Sequence, residues 1–144
     1  MIELDTEVRR RLAHAIDDEK TLTAAYVDVE GKPHISFYGS THVHERDQLA
    51  IWVRNPKGAL LQTLPERPDI VFIYGDISSQ VYYTFAGRGR VAGTDLERDR
   101  VYHEMHAIER KFDPDKKGVA VLVDLDKVTI LSAAAGKQEF DRND

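Results

Sequence analysis

The chain has 144 residues, 20 Lys and Arg against 25 Asp and Glu, a net charge of −5, and no cysteine. That length implies one domain, residues 1–144, with room for a buried core, and the lack of cysteine removes disulfides, thiolate metal centres and thiol nucleophiles. Interspersed charges with an acidic balance argue against a general nucleic-acid binder. With no membrane-length apolar run and a charged opening, IELDTEVRRR, the chain reads as cytoplasmic, with no membrane contact.

In chain order, Leu4, Val8, Leu12, Ala15 and Ile16 recur at three- and four-residue spacing and predict an amphipathic helix over 3–18. Its His14 reads as a surface histidine. Thr21 to Val29 is rich in β-formers, Glu30-Gly31-Lys32 is a hairpin turn, and Pro33 to Ser40 is the returning strand. There Ile35 and Phe37 alternate with Ser36 and Tyr38. Thr41 to Arg46, charged and carrying His42 and His44, reads as a loop.

Leu49, Ile51 and Val53 alternate with Gln48, Ala50, Trp52 and Arg54, the period of a half-buried strand, which Asn55-Pro56 ends. Lys57-Gly58 opens a short helix, Ala59 to Leu64. Here a cation and a glycine meet at a strand-to-helix junction, where free backbone N–H groups and the helix dipole favour an anion such as a phosphate; a solvated turn has the same composition. Ile70 to Tyr74 is an apolar run suited to a fully covered strand.

Beyond the turn at Gly75-Asp76, a long strand runs from Gln80 to Val91. Gly87 and Gly89 share its apolar face with Val81, Tyr83 and Phe85, which predicts a bulge or close approach of other backbone. Thr94-Asp95-Leu96-Glu97 is a capping box opening a helix that buries Val101, Met105, Ile108 and Phe112 before Asp113-Pro114. Val119 to Leu125 is a strand, Asp126-Lys127 a turn, Val128 to Leu131 a last short strand, and GKQEFDRND a frayed tail. About seven consecutive strands and two helices predict a mainly β fold: an antiparallel barrel with flanking helices.

His42-Val43-His44 and His103-Glu104-Met105-His106 place histidines on shared faces, but no third ligand can be located, so exposed histidines rather than a metal site are the favoured reading. Nor is there a Ser-His-Asp spacing or a nucleophile elbow.

The order strand, hairpin, strand, then W-V-R-N-P-K-G, E-R-P-D-I-V-F-I-Y and Q-V-Y-Y-T-F-A-G-R-G-R-V resembles the pyridoxamine 5′-phosphate oxidase-like family over roughly residues 20 to 131. The resemblance implies an antiparallel split β-barrel that binds FMN, typically as a homodimer with cofactor sites at the interface. It implies that Lys57-Gly58 holds the phosphate, with Arg54 as a second cation. Trp52-Val53 stands where the family has an aromatic–threonine pair, and Gln80-Val81 where a glutamine meets the flavin ring. The strand His34 to Gly39 has lost both family cations and keeps Ser36, Tyr38 and Ser40 as hydrogen-bonding groups. By their strand faces, Trp52 and Tyr82 could wall the ring.

The late helix VYHEMHAIERKF lacks the family's Tyr…Arg…Ser set, and no arginine-rich strand follows, so pyridoxine 5′-phosphate is not the expected substrate. Arg88, Arg90 and Arg110 are the cations left to replace that set. Three functions remain open: an FMN-dependent oxidoreductase, a deazaflavin-dependent reductase, and a flavin-binding or cofactor-free protein that senses without turnover.

Overall fold

A computed structural model describes the chain from Met1 to Asp144. The elements in order are α1 (Thr6–Ala13), β1 (Thr23–Val27), β2 (Pro33–Phe37), β3 (His42–Glu45), β4 (Gln48–Val53), α2 (Ala59–Thr63), β5 (Asp69–Asp76), β6 (Val81–Val91), α3 (Asp95–Glu104), α4 (Ala107–Lys111), β7 (Val119–Ser132) and β8 (Gly136–Asp141). The strands form one sheet in the order β2-β1-β5-β6-β7-β4-β3, with β8 added to β7. Every pairing is antiparallel. The expected mainly β fold with flanking helices is therefore present. No helix is long and apolar enough to cross a membrane.

The inner face of the sheet carries the main core: Tyr26, Ile51, Phe72, Tyr83, Phe85 and Val123 are among its members, joined by Leu12 from α1 and Leu60 from α2. A second, smaller core lies outside the sheet, where Ala50 and Trp52 of β4 and Ala120 and Leu122 of β7 pack under Val101, Tyr102 and Met105.

Several expectations are corrected. The long N-terminal helix is only α1, because Asp5 caps it by accepting from the Val8 N–H at 2.9 Å. The preceding arm is extended, with the Leu4 N–H bonded to the Arg46 carbonyl at 2.7 Å, and buries Ile2 and Leu4. Thr41 to Arg46 is not a loop: β3 pairs with β4, α1 packs against β3, Arg100 of α3 donates to the His44 carbonyl at 2.7 Å, and His42 and His44 are buried. The coverage expected of two strands is reversed. β4 is covered on both faces because α3 lies over its outer side, whereas β5 is buried on alternate residues only.

The capping box is half made, with the Thr94 hydroxyl accepting from the Glu97 N–H at 3.2 Å. The helix it opens breaks at Met105, whose backbone is extended; His106 caps α4 afresh, and Ile108 and Phe112 are left exposed. There is no turn at Asp126-Lys127. β7 runs through it, and the tail, expected to fray, pairs with β7 as β8.

The glycines of β6 behave as their pattern implies. The register shifts between Ala86 and Gly87, with Gly87 opposite Leu125 and Ala86 opposite Lys127, so Asp126 is the extra residue of a bulge. A Cβ at Gly87 would overlap the Asp124 carbonyl and lie 2.9 Å from Val123 Cγ1. Gly87→Ala must therefore displace backbone at the bulge. It is expected to destabilise the fold by about 1–3 kcal/mol or more, read as a lower urea midpoint.

Candidate functional site

A cleft of about 440 Å³ opens where the β2–β3 link meets the end of β4 and α4. Ser36, Tyr38, Ser40, Trp52, Val53 and Arg54 all line it, together with Glu109 from α4. It falls within the ~300–1,000 Å³ range of small-molecule pockets. Two segments distant in sequence, each singled out by the family resemblance, thus meet at one place.

Their roles differ. Ser40 is buried and binds β4: its Oγ accepts from the Trp52 N–H at 2.9 Å and faces the Trp52 carbonyl at 3.3 Å. Trp52 is only 4% exposed. Its indole N–H donates to Asp113 at 2.8 Å, its ring meets Tyr102 edge-on at 5.1 Å, and Arg98 lies over it at 5.0 Å. Trp52 therefore lines the floor of the cleft with its ring already engaged by Tyr102 and Arg98. Val53 is buried beside it. Ser36, Tyr38 and Arg54 are the accessible polar groups, and Arg54 reaches over the Phe112 ring at 4.9 Å instead of pairing with an acid.

Asp113 anchors this floor. Burial pushes its carboxyl pKa up, but the Lys117 N–H, the Trp52 indole and the Gly118 N–H hold it below the usual carboxylate range.

The other expected site residues lie elsewhere. Lys57 is exposed and Gly58 half-buried, and neither lines the cleft. Their backbone N–H groups are taken by the Asn55 side chain and carbonyl, at 3.0 and 2.9 Å, so that part of the expected anion cradle is already filled. Gln80 is an exposed turn residue with φ of 55° ahead of β6. Tyr82 is on β6 and rests against Gly75. In one copy of the chain β6 is separated from β2 by β1 and β5.

A second cavity of about 390 Å³ adjoins the cleft, sharing Ile16 and Gly39 with it. His42 and His44 from β3 line it with Glu104 and His106, so the two histidine motifs of the sequence converge. Their proximity is not visible in the sequence, where the charge of Thr41 to Arg46 is that of a loop. His42 Nδ1 donates to the Ser40 carbonyl at 2.7 Å, while His42 Nε2 and His44 Nδ1 are buried without partners. No three His, Asp or Glu side chains are gathered closely enough to hold a metal ion. Burial lowers the pKa of both imidazoles, against a raising effect of the Ser40 bond on His42 and with further lowering by Arg100 on His44.

The three arginines left as phosphate partners are engaged. Arg88 pairs with Asp126 and Arg90 with Asp124, each at 3.0 Å, and Arg110 donates to the His103 and Met105 carbonyls.

No family model and no curated protein sequence matches the chain. Solved structures do. A NimC/NimA family protein from Clostridium acetobutylicum is 13% identical and superposes over 95% of this chain and 94% of its own, with a TM-score of 0.70. A pyridoxamine 5′-phosphate oxidase-related, FMN binding protein from Nostoc punctiforme is 17% identical, over 94% and 86%, with a TM-score of 0.67. A heme binding protein from Mycobacterium smegmatis is 15% identical, over 91% of this chain and 57% of its own, with a TM-score of 0.66. The fold is that of the pyridoxamine 5′-phosphate oxidase-like split barrels.

The buried histidines give a pH dependence. Their folded pKa values lie below the unfolded value of about 6.5. Above that value both states are neutral and stability is complete; as pH falls through it, the unfolded chain takes up protons first and stability is lost. The urea midpoint is expected to be lower at about pH 5.5 than at about pH 7.5. In His42→Asn, which can keep a donor to Ser40, that difference should shrink.

Proposed function

We propose, taking the shared fold as premise, that this protein binds a flavin in the cleft beside Ser36, Tyr38 and Arg54 and works as an FMN-dependent oxidoreductase. The observation carrying this reading is the convergence of six resemblance-derived residues on one cleft of about 440 Å³. The donor set suits the cofactor: hydroxyls at Ser36 and Tyr38 and a guanidinium at Arg54 can satisfy its polar groups, while Phe37 and Ile108 supply apolar wall. A bound flavin would supply the redox chemistry itself; the chain's task is to bind, orient and shield it.

A second copy of the chain completes the site in this reading. Ile35 and Phe37 on β2 are 74% and 75% exposed, and Val71 and Ile73 on β5 are 47% and 50% exposed. An exposed apolar face of this kind marks an association surface. Phe37 also lines the cleft, so the face and the cleft are continuous. Gln80, Tyr82 and Lys57, which one copy leaves away from its own cleft, are residues that a partner could bring.

Pyridoxine 5′-phosphate is not the substrate in this reading, because Arg88, Arg90 and Arg110 are all spent within the chain. A phosphate dianion taken out of water there would lack fixed cations.

A second reading is favoured by the adjoining cavity. The imidazoles of His42 and His44, kept neutral by burial, are the form of histidine that binds haem iron, and a protein of this fold from Mycobacterium smegmatis is a heme binding protein.

One titration separates these readings. The purified protein is mixed in turn with FMN, a deazaflavin coenzyme and haem, and absorbance and flavin fluorescence are followed. FMN is expected to bind, with Arg54→Ala weakening it roughly tenfold, the scale of a charge-assisted contact. Uptake of deazaflavin alone would move the assignment to a deazaflavin reductase, uptake of haem alone to the second reading, and uptake of none to a cofactor-free role. In sedimentation the protein should be a dimer, and Phe37→Asp should give monomers that bind FMN more weakly.

A further inference from the structure

The wall that α4 gives the cleft is held differently from the others. Met105 and Asp113, on either side of residues 106–112, are buried, and Asp113 is fixed to the Trp52 indole. Between them α4 buries no side chain, and Ile108 and Phe112 are 43% and 60% exposed. Arg110 ties the segment only to the end of α3, through the His103 and Met105 carbonyls. Apart from bonds along the α3–α4 segment itself, one hydrogen bond holds residues 106–112: His106 Nε2 meets Asp17 Oδ1 at 2.7 Å. The Nδ1 of the same ring accepts from the Ile108 N–H at 3.1 Å, which leaves the ring proton on Nε2 for Asp17. One imidazole thus caps α4 and ties it down. Asp17 adjoins Ile16, which lines both the cleft and the histidine cavity, so the bond joins two walls of the cleft.

We infer that α4 is a hinged cover over the cleft, with Met105 and Asp113 as its hinges and the His106–Asp17 bond as its latch. The Met105 backbone is already extended, so the cover turns there without melting α3. The contact of Arg54 with the Phe112 ring lies at the Asp113 end, next to the second hinge. A segment with few buried apolar contacts opens far more readily than the sheet beneath it. A latch of ordinary hydrogen-bond strength then changes the open fraction by up to about tenfold. The inference is independent of which cofactor the cleft takes.

The chain has no cysteine, so Val53→Cys places a unique thiol in the cleft, at a position only 9% exposed. Its labelling rate with a small disulfide reagent and the amide exchange of residues 106–112 are measured with Asp17 intact, in Asp17→Ala and in Asp17→Asn. The Asp17 side chain is 54% exposed, and urea midpoints check that each variant is folded. In Asp17→Ala, labelling and exchange at 106–112 should rise together, several-fold to about tenfold, with exchange in β4 unchanged. Asp17→Asn loses the charge facing His14 but keeps an acceptor for His106, and should stay within about twofold of the parent. Unchanged labelling in Asp17→Ala, or a rise shared equally by β4 and β7, overturns the latch. If Val53→Cys does not fold, acrylamide quenching of Trp52, the only tryptophan, reads the same opening with Val53 intact. Stronger quenching in Asp17→Ala than in Asp17→Asn is then expected, and equal quenching overturns the inference.

Discussion

The polar chain from Ser40 through Trp52 to Asp113 is the constraint on which the rest of this molecule depends. Ser40 holds the β2–β3 link against the β4 backbone. Trp52 passes through β4 to the outer side, and its indole reaches Asp113. Asp113 gathers the N–H groups of Lys117 and Gly118, while its carbonyl accepts from the Tyr102 hydroxyl at 2.8 Å. Three stretches remote in sequence are thereby fixed to one another: the link, the β4 strand and the α4–β7 connection. The Ser40 hydroxyl, the Trp52 indole and the Asp113 carboxylate each have their partners, which is the condition under which such a network rigidifies a site and does not weaken it. Gly118 is part of the same arrangement, because any Cβ there would overlap the indole.

That constraint explains the placement of the cleft. It opens at the seam where the β2–β3 link is held to β4 by the Ser40 side chain. Side chains of the link, β4 and α4 line one space there. The histidine cavity lies next along the same seam, with Gly39 between them. A residue with a side chain at Gly39 would displace the Glu109 carboxylate, which lies 3.0 Å from where its Cβ would stand.

Much of the fold was legible in the sequence. Period-two alternation located the strands, and the paired glycines of β6 announced the bulge opposite Asp126. What misled was local composition read without its surroundings. His42 and His44 look like loop residues until β4 is paired beside them and α1 is packed against β3. Ile70 to Tyr74 looks fully covered because Val71 and Ile73 are apolar, yet they lie on an exposed outer face. Asp126-Lys127 looks like a turn because a bulge inserts a residue that pattern counting assigns to a break. For the site, six residues in register with the family's order line one cleft, and the ring of Trp52 among them is engaged on its far side. Nothing in the sequence indicated that its ring would be claimed by Tyr102, Arg98 and Asp113. Glu109, which lines the cleft, gives no signal in the sequence because a carboxylate in a run of helical charges resembles any solvated helix end.

The pairing of β4 with β7 has a consequence in time. Ile51 must wait for Val121, and Leu49 for Val123, so β4 emerges from the ribosome long before its partner exists. During that interval an apolar strand, destined to be covered on both faces, has only β3 beside it. Non-local closure of this kind slows folding and prolongs the exposure of sticky surface. Synthesis at reduced temperature, or with holdase chaperones in excess, should therefore change the yield of this protein more than that of one whose neighbouring strands follow each other in sequence.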